Sequence, residues 1–309
     1  MAHALRAALG EVASALSLHQ RISEERREAI GAALNGVLGP RRFQEFGRMP
    51  LYHPNAPFIL LWSQKAGSTA ALRWYLHHVG LLETAEAHGR WIHDYENDVF
   101  KARAGYLDDL KDAAAAGAPL VKFVRDPAAR ALSAFLELNR PKVVRNQLDH
   151  WSAYWRKRLL RYVYGASARH DAPLSLLDFL EWIATERAAR LNGHIAPQVT
   201  RLERSLPRPV RIVKLEGGHA AFQAVERDFG LPVSDERALR ARLKSGHHHE
   251  KLAVPTDALD AFAATRFDFA AGAPADIPAF SADTAAAAPR LNAALRSAYG
   301  ADYDAYGYG

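Results

Sequence analysis

The sequence predicts an α/β protein: a parallel sheet of about four or five strands flanked by helices, with a helical N-terminal extension. Three segments carry this expectation. Phe58 to Trp62, Leu120 to Val124 and Val210 to Leu215 are short apolar or β-rich runs, each ending in a polar or glycine-containing turn and running on into a helical pattern. Runs that do not alternate belong to strands buried on both faces. Strands alternating with helices build parallel sheets whose ligands sit at the carboxyl ends of the strands.

Taken in order, residues 1–48 place apolar and charged positions at helical spacing, with Gly39-Pro40 as a stop signal, and are expected as an extension before an α/β domain at 49–309. The first strand ends in Ser63-Gln64-Lys65-Ala66-Gly67-Ser68-Thr69, and a helix follows through Ala71, Leu72, Tyr75, Leu76 and Val79. The second stops at Arg125-Asp126-Pro127, where Asp126 suits an N-cap and Pro127 the first helical position, and continues through Ala131, Leu132, Phe135 and Leu138. The third leads through Glu216-Gly217-Gly218 into a helix from Phe222 to Phe229 that Gly230 closes. The Ala/Pro/Asp-rich stretch from Ala270 to Pro289 reads as a flexible loop.

With 309 residues, 49% of them hydrophobic, the chain can bury a substantial core. No apolar run reaches the roughly 20 residues of a membrane span, and the N-terminus lacks a secretory apolar block, so the expected location is the cytoplasm. The absence of cysteine excludes disulfides, zinc–thiolate sites and thiol nucleophiles, leaving His, Lys, Arg, Ser and carboxylates to do any chemistry. The net charge of +6 is uneven: Arg140 to Arg169 holds eight Lys/Arg against Asp149 alone, so this stretch carries +7 and the remainder about −1. Such a cluster fits an anionic ligand, and a solvated helix face fits it equally.

Lys65-Ala66-Gly67-Ser68-Thr69 is a glycine turn at a helix N-terminus, which gathers backbone N–H groups and the positive helix end around one point. Lys65 adds a charge and Ser68 and Thr69 add hydroxyls, a combination that matches phosphate or sulfate; an ordinary cap beside a solvated lysine satisfies the same pattern. A nucleoside-triphosphate loop would need Gly-Lys-Ser/Thr in that order, whereas Lys65 precedes Gly67. At the second strand end, Arg125 offers a fork for phosphate oxygens and Ser133 a hydroxyl from the adjoining helix. Two anion sites at successive strand ends suit a ligand with two separated phosphates.

These residues resemble the 5′-phosphosulfate loop (Lys65 to Thr69) and the 3′-phosphate motif (Val124-Arg125-Asp126-Pro127 with Arg130 and Ser133) of sulfotransferases that use 3′-phosphoadenosine 5′-phosphosulfate, PAPS. A weaker likeness, closer to the carbohydrate-type members, runs through His194-Ile195-Ala196-Pro197-Gln198, Val213-Lys214-Leu215-Glu216 and Tyr299-Gly300-Ala301-Asp302-Tyr303. The late Arg-Lys-Gly motif of the cytosolic type is missing; Lys244-Ser245-Gly246 stands near its place. The resemblance implies a P-loop-like fold, PAPS as donor, 3′,5′-ADP as product and no metal. It implies a hydroxyl-bearing acceptor, an acidic carbohydrate being one option, and no nucleic acid.

In that family an acceptor hydroxyl attacks sulfur and 3′,5′-ADP leaves, so Lys65 is expected to stabilise the charge on the bridging oxygen. The attacking hydroxyl needs a base near working pH, and position between the two motifs points to His93, with His88 and Glu83 as alternatives. His194 and the cluster Arg156, Lys157 and Arg158, interleaved with Trp151, Tyr154, Trp155 and Tyr162, are candidate acceptor contacts; core aromatics on one face and wet basic residues on the other fit as well. His247-His248-His249-Glu250 resembles a metal cluster, but three adjacent side chains do not converge easily on one ion. Two rivals use the same anion sites: a nucleotide-dependent phosphotransferase, and a non-catalytic binder of anionic ligands or nucleic acid.

Overall fold

The structure, a computed structural model, describes residues 49–89, 91–146, 151–200, 203, 209–235, 237, 257–272, 274 and 277–309. The proposed extension at 1–48, Lys244-Ser245-Gly246 and His247-His248-His249-Glu250 lie outside these residues. The chain divides into two compact units, with breaks after Val124, Val199 and Gly246.

The first unit is built on three parallel strands in the order β1 (Ile59–Trp62), β2 (Leu120–Val124) and β3 (Val210–Lys214), paired Ile59 to Leu120 and Leu120 to Val210. The unit is thus α/β with a small parallel sheet, three strands among the described residues where four or five were expected. Every residue of β1 and β2 is buried, as continuous apolar runs require, whereas β3 is partly exposed. Lys122 is the one charged residue within β2: its stem lies in the core and its ammonium is neutralised by Glu203.

Helices α1 (Ser68–His78), α2 (Leu82–His88) and α3 (Ile92–Tyr95) follow β1, and α3 runs into a π-helical turn, Glu96–Phe100. Helix α4 (Tyr106–Ala116) leads back to β2. Aromatic packing fixes α1 on the sheet: the Trp74 ring lies 5.5 Å from Phe123 and 5.6 Å from Phe222, and Phe123 stacks on Phe222 at 4.7 Å.

The second unit is helical: α5 (Pro127–Leu138), α6 (Pro141–Val144), α7 (Trp151–Tyr164), α8 (Leu176–Thr185), and, beyond a 3-10 turn at Ala188–Arg190, later helices of this unit. Asp126 caps α5 by accepting from the Ala128 and Ala129 N–H groups at 2.9 and 3.0 Å, with Pro127 at the first position. Helix α9 (Gly218–Asp228) belongs to the first unit; α10 (Asp257–Ala264), α11 (Ala282–Ala286) and α12 (Pro289–Tyr306) complete the second. The loop expected over Ala270 to Pro289 is corrected by α11, where Ser281 and Thr284 form a reciprocal cap and Ile277, Phe280, Ala282, Ala285 and Ala288 are buried. Short alanine-rich segments carry too little hydrophobic contrast for their buried face to be read. Among the described residues, no helix is long and apolar enough to cross a membrane.

Candidate active site

The β1–α1 turn is shaped by two departures from ordinary backbone, one on each side of Ala66. Lys65 has φ 63° and Gly67 φ 65°, both left-handed. For lysine that conformation is unfavourable, and strained non-glycine residues collect where geometry serves a ligand. Gly67 is required twice over, because a Cβ there would stand 2.6 Å from Leu215 Cδ1. Ala66 is buried, its N–H donating to the Ser63 carbonyl at 3.2 Å, so the turn folds down onto the unit.

Helix α1 starts at Ser68 with no side-chain cap and no acidic residue in its first turn. Its first N–H groups, the positive helix end, the Ser68 and Thr69 hydroxyls and the Lys65 ammonium all belong to one short loop. That donor set fits a sulfate or phosphate oxygen cluster. It fits because a bound anion supplies the acceptors that a capping side chain otherwise gives.

His93 joins this loop directly. Its Nε2 lies 3.2 Å from Thr69 Oγ1, and its Nδ1 lies 2.6 Å from Glu96 Oε2. Glu96 is fully buried and also receives the Lys101 ammonium, which the π-helical turn carries within reach through the Lys101 N–H to Glu96 carbonyl bond of 3.0 Å. An ionised carboxylate only accepts, so Nδ1 must donate to it, and Nε2 is the nitrogen directed at the loop. His93 is 2% exposed, flanked by Trp62 and Trp91 rings at 5.9 and 4.9 Å. His88 and Glu83 are exposed on α2, and among the described residues neither makes a hydrogen bond to the loop.

Glu96 and Lys101 were missed in the sequence. The His-x-x-Glu spacing from His93 was visible, but the π-helical turn that adds Lys101 has no sequence signature.

In the second unit, the remaining motifs form one hydrogen-bonded assembly. Gln198 accepts from the Arg125 N–H at 2.9 Å and donates to its carbonyl at 2.7 Å, holding that peptide as a neighbouring strand would. Asp302, fully buried, accepts from the Gln198 and Val199 N–H groups at 2.8 and 2.9 Å. Arg130 donates to the Ala196 and Gly193 carbonyls at 2.7 and 2.8 Å, and Tyr299 to the Ile195 carbonyl at 2.8 Å. Burial pulls the Arg130 pKa down, while Tyr299, Asp302 and Tyr306 oppose the shift. Arg130 is therefore a framework residue. Ser133 is half-buried on α5, and no hydrogen bond to its hydroxyl is found among the described residues.

The candidate acceptor residues separate. Arg156 is fully buried, donating to the Asn139 side chain and to the His170 and Ala172 carbonyls, and burial lowers its pKa to about 10. It is a structural arginine and belongs to no binding face. Lys157 and Arg158 instead line a groove with the C-terminal part of α8. His194 stacks on Trp151, with ring centroids 4.1 Å apart and planes 14° apart, and its Nδ1 is 2.7 Å from Asn192 Oδ1. Among the described residues no group of three or more His, Asp or Glu is arranged to hold a metal ion.

Comparison of the chain with protein families, with curated proteins and with solved structures gives no match.

Proposed function

We propose that this chain is a group-transfer enzyme acting on an anionic donor. Within that class, we infer a sulfotransferase that moves a sulfuryl group from PAPS to a hydroxyl. The observation that carries the reading is the β1–α1 loop: left-handed Lys65, a left-handed Gly67 whose Cβ would crowd Leu215, a helix N-terminus with no side-chain cap, and a histidine nitrogen 3.2 Å from Thr69. A P-loop-like fold, a sheet of four or five strands and a cytoplasmic location belong to the same proposal. Gln198, Arg130 and Asp302 support it further. They join the sequence segments that carry the resemblance in the second unit into one hydrogen-bonded framework.

The donor supplies an activated sulfur and a stable leaving group, 3′,5′-ADP. The α1 N–H groups, Ser68 and Thr69 hold the phosphosulfate end, and Lys65 stabilises negative charge on the oxygen that leaves sulfur. Arg125 and Ser133 take the 3′-phosphate. An acceptor oxygen bonds to sulfur as the sulfur–oxygen bond to the nucleotide breaks, and the acceptor proton passes to His93 Nε2. Glu96 holds the imidazole by Nδ1 and stabilises the imidazolium that results.

Calorimetry with 3′,5′-ADP and ATP tests the donor assignment, and a screen of hydroxyl acceptors with labelled PAPS tests the transfer. Tighter binding of 3′,5′-ADP is expected, and Arg125→Ala should weaken it roughly 10- to 100-fold, the worth of one charged hydrogen bond. Tighter binding of ATP would favour the phosphotransferase. Binding of 3′,5′-ADP without turnover on any acceptor would favour a non-catalytic binder.

A further inference from the structure

The buried Glu96 carboxylate is shared between two partners: Oε2 accepts from His93 Nδ1 at 2.6 Å and Oε1 from the Lys101 ammonium. The Lys101 side chain is itself only 5% exposed. In an α-helix, residues five apart point about 140° away from one another, at about 100° per residue. The π-helical turn removes that offset: the Lys101 N–H closes on the Glu96 carbonyl at 3.0 Å, and the two side chains meet. Such turns are frequent at functional sites.

The setting is dry. The buried Trp62 ring has its centre 5.9 Å from that of His93 and 5.9 Å from Lys101 Nζ. With little water to screen them, charges here are balanced by other charges. A buried carboxylate alone beside Nδ1 would hold the ring as imidazolium, which accepts no proton. Lys101 cancels that carboxylate. The other ionisable groups on the elements around α3 are engaged elsewhere or wet. Arg73 of α1 pairs with Glu86 of α2, and at the C-terminal end of α1 His77 packs on His78, which Glu226 engages. Glu83 and His88 of α2 are exposed, and the Tyr95 ring packs against His88 at 5.8 Å. On the segment itself Asp94 is half-buried and Asp98 exposed, while Tyr106 of α4 is kept neutral mainly by burial. Lys65 stands in the β1–α1 loop. All of these groups lie in the first unit.

We propose that Lys101 is a positioning residue for the reaction: by neutralising Glu96 it leaves His93 unprotonated at rest, able to accept the acceptor proton at Nε2, while Glu96 still orients the ring through Nδ1. The assignment rests on the reading of His93 as the general base. When Nε2 takes the proton, the three side chains pass from no net charge to a single positive charge. The proton returns to solvent before the next turnover.

The test is an NMR titration of His93 in the full chain with no donor or acceptor present, following the imidazole signal that is missing in His93→Ala. Midpoints should order by the net charge left beside the ring. Lys101→Met leaves Glu96 uncompensated and should raise the midpoint by about one pH unit or more, and Glu96→Gln leaves Lys101 and should lower it. Lys101→Arg, and the double variant Lys101→Met with Glu96→Gln, keep the balance and should stay near wild type. An unmoved midpoint in Lys101→Met, or one that moves the same way in Lys101→Met and Glu96→Gln, overturns the proposal. Should a single variant fail to fold, Lys101→Arg and the double variant carry the test: both near wild type support the balance, and a shift of about one unit in either overturns it. In turnover, Lys101→Met should move the acid limb of the pH–rate profile up by the same amount, so that the rate there falls about tenfold and recovers at higher pH. An equal loss at every pH overturns the role. Midpoints in the expected order without turnover from PAPS sink only the donor reading. Turnover from PAPS that depends on His93, with midpoints indifferent to Lys101, sinks only this proposal.

Discussion

Glu226 offers the most direct check on how α1, the helix that carries the loop, is anchored. On α9, fully buried, it accepts from the Trp74 indole and His78 ring on α1, both at 2.9 Å, and from the Ser234 hydroxyl and N–H, both at 2.8 Å. Burial pushes this carboxyl up, but the Ser234 N–H, the Trp74 indole, the Ser234 hydroxyl and His78 together outweigh it and hold the group below its ordinary 4.5. Glu226→Gln preserves the shape and removes the charge. In its better orientation the amide oxygen keeps the three donors at Oε1, while the new NH₂ faces the Ser234 N–H, donor against donor. One charge-assisted bond is lost and three are weakened, a cost of about 2–4 kcal/mol, or a melting temperature lower by roughly 5–10 °C.

Thermal unfolding at two pH values decides it. Because the folded pKa lies below the unfolded one, the stabilisation is fully present above about pH 4.5 and is lost as pH falls through the folded value. The gap between wild type and Glu226→Gln should therefore be wide at about pH 7 and should narrow as the pH falls below 4.5 and on through the folded value. The variant melting within about 1 °C of wild type at pH 7, or a gap that does not change with pH, would refute the reasoning.

Three further outcomes follow from the loop and its histidine. Lys65→Ala should lower kcat by more than it weakens 3′,5′-ADP binding if its charge acts, as proposed, mainly while the leaving group forms; a loss confined to KM would count against that role. His93→Ala should cut turnover about 10²–10⁴-fold with nucleotide binding kept, whereas Glu96→Gln, a positioning change, should shift the pH–rate profile as well as reduce the rate. A rate that collapses with His88→Ala or Glu83→Gln, and not with His93→Ala, would move the base to that residue. Gly67→Ala should destabilise by about 1–3 kcal/mol from the left-handed backbone and the Leu215 clash together; adding Leu215→Ala should recover only the clash, readable in a double-mutant cycle from urea unfolding.

What could be read along the chain was local. The apolar run of β1 and the β-rich run of β2 meant burial on both faces, Asp126-Pro127 meant a helix start, and a glycine between β1 and α1 meant a tight turn, because each rests on neighbours in sequence. The parallel pairing follows from the same strand–helix alternation, whereas the strand number, expected as four or five and three among the described residues, does not. His93 was chosen as the candidate base by position alone, and its contact with Thr69, which His88 and Glu83 lack, exists only in the folded unit.

Tertiary structure decided the rest, and long sequence separation is the reason. Arg156, one of three consecutive basic residues, differs from Lys157 and Arg158 only in which way the helix turns it: at 0% exposure it meets Asn139, His170 and Ala172, while its neighbours face the groove. Composition cannot tell them apart, and helical phase can do so only once the packed side is known. Asp302 reaches Gln198 across 104 residues and Glu226 reaches Trp74 across 152. The sequence by itself determined the three strand runs, the Asp126 cap and the glycine turn after β1, whose causes lie within a few residues. Only the folded chain determined which charges are buried, since a buried carboxylate or guanidinium is tolerated just where distant segments bring enough donors or acceptors to replace the water it loses.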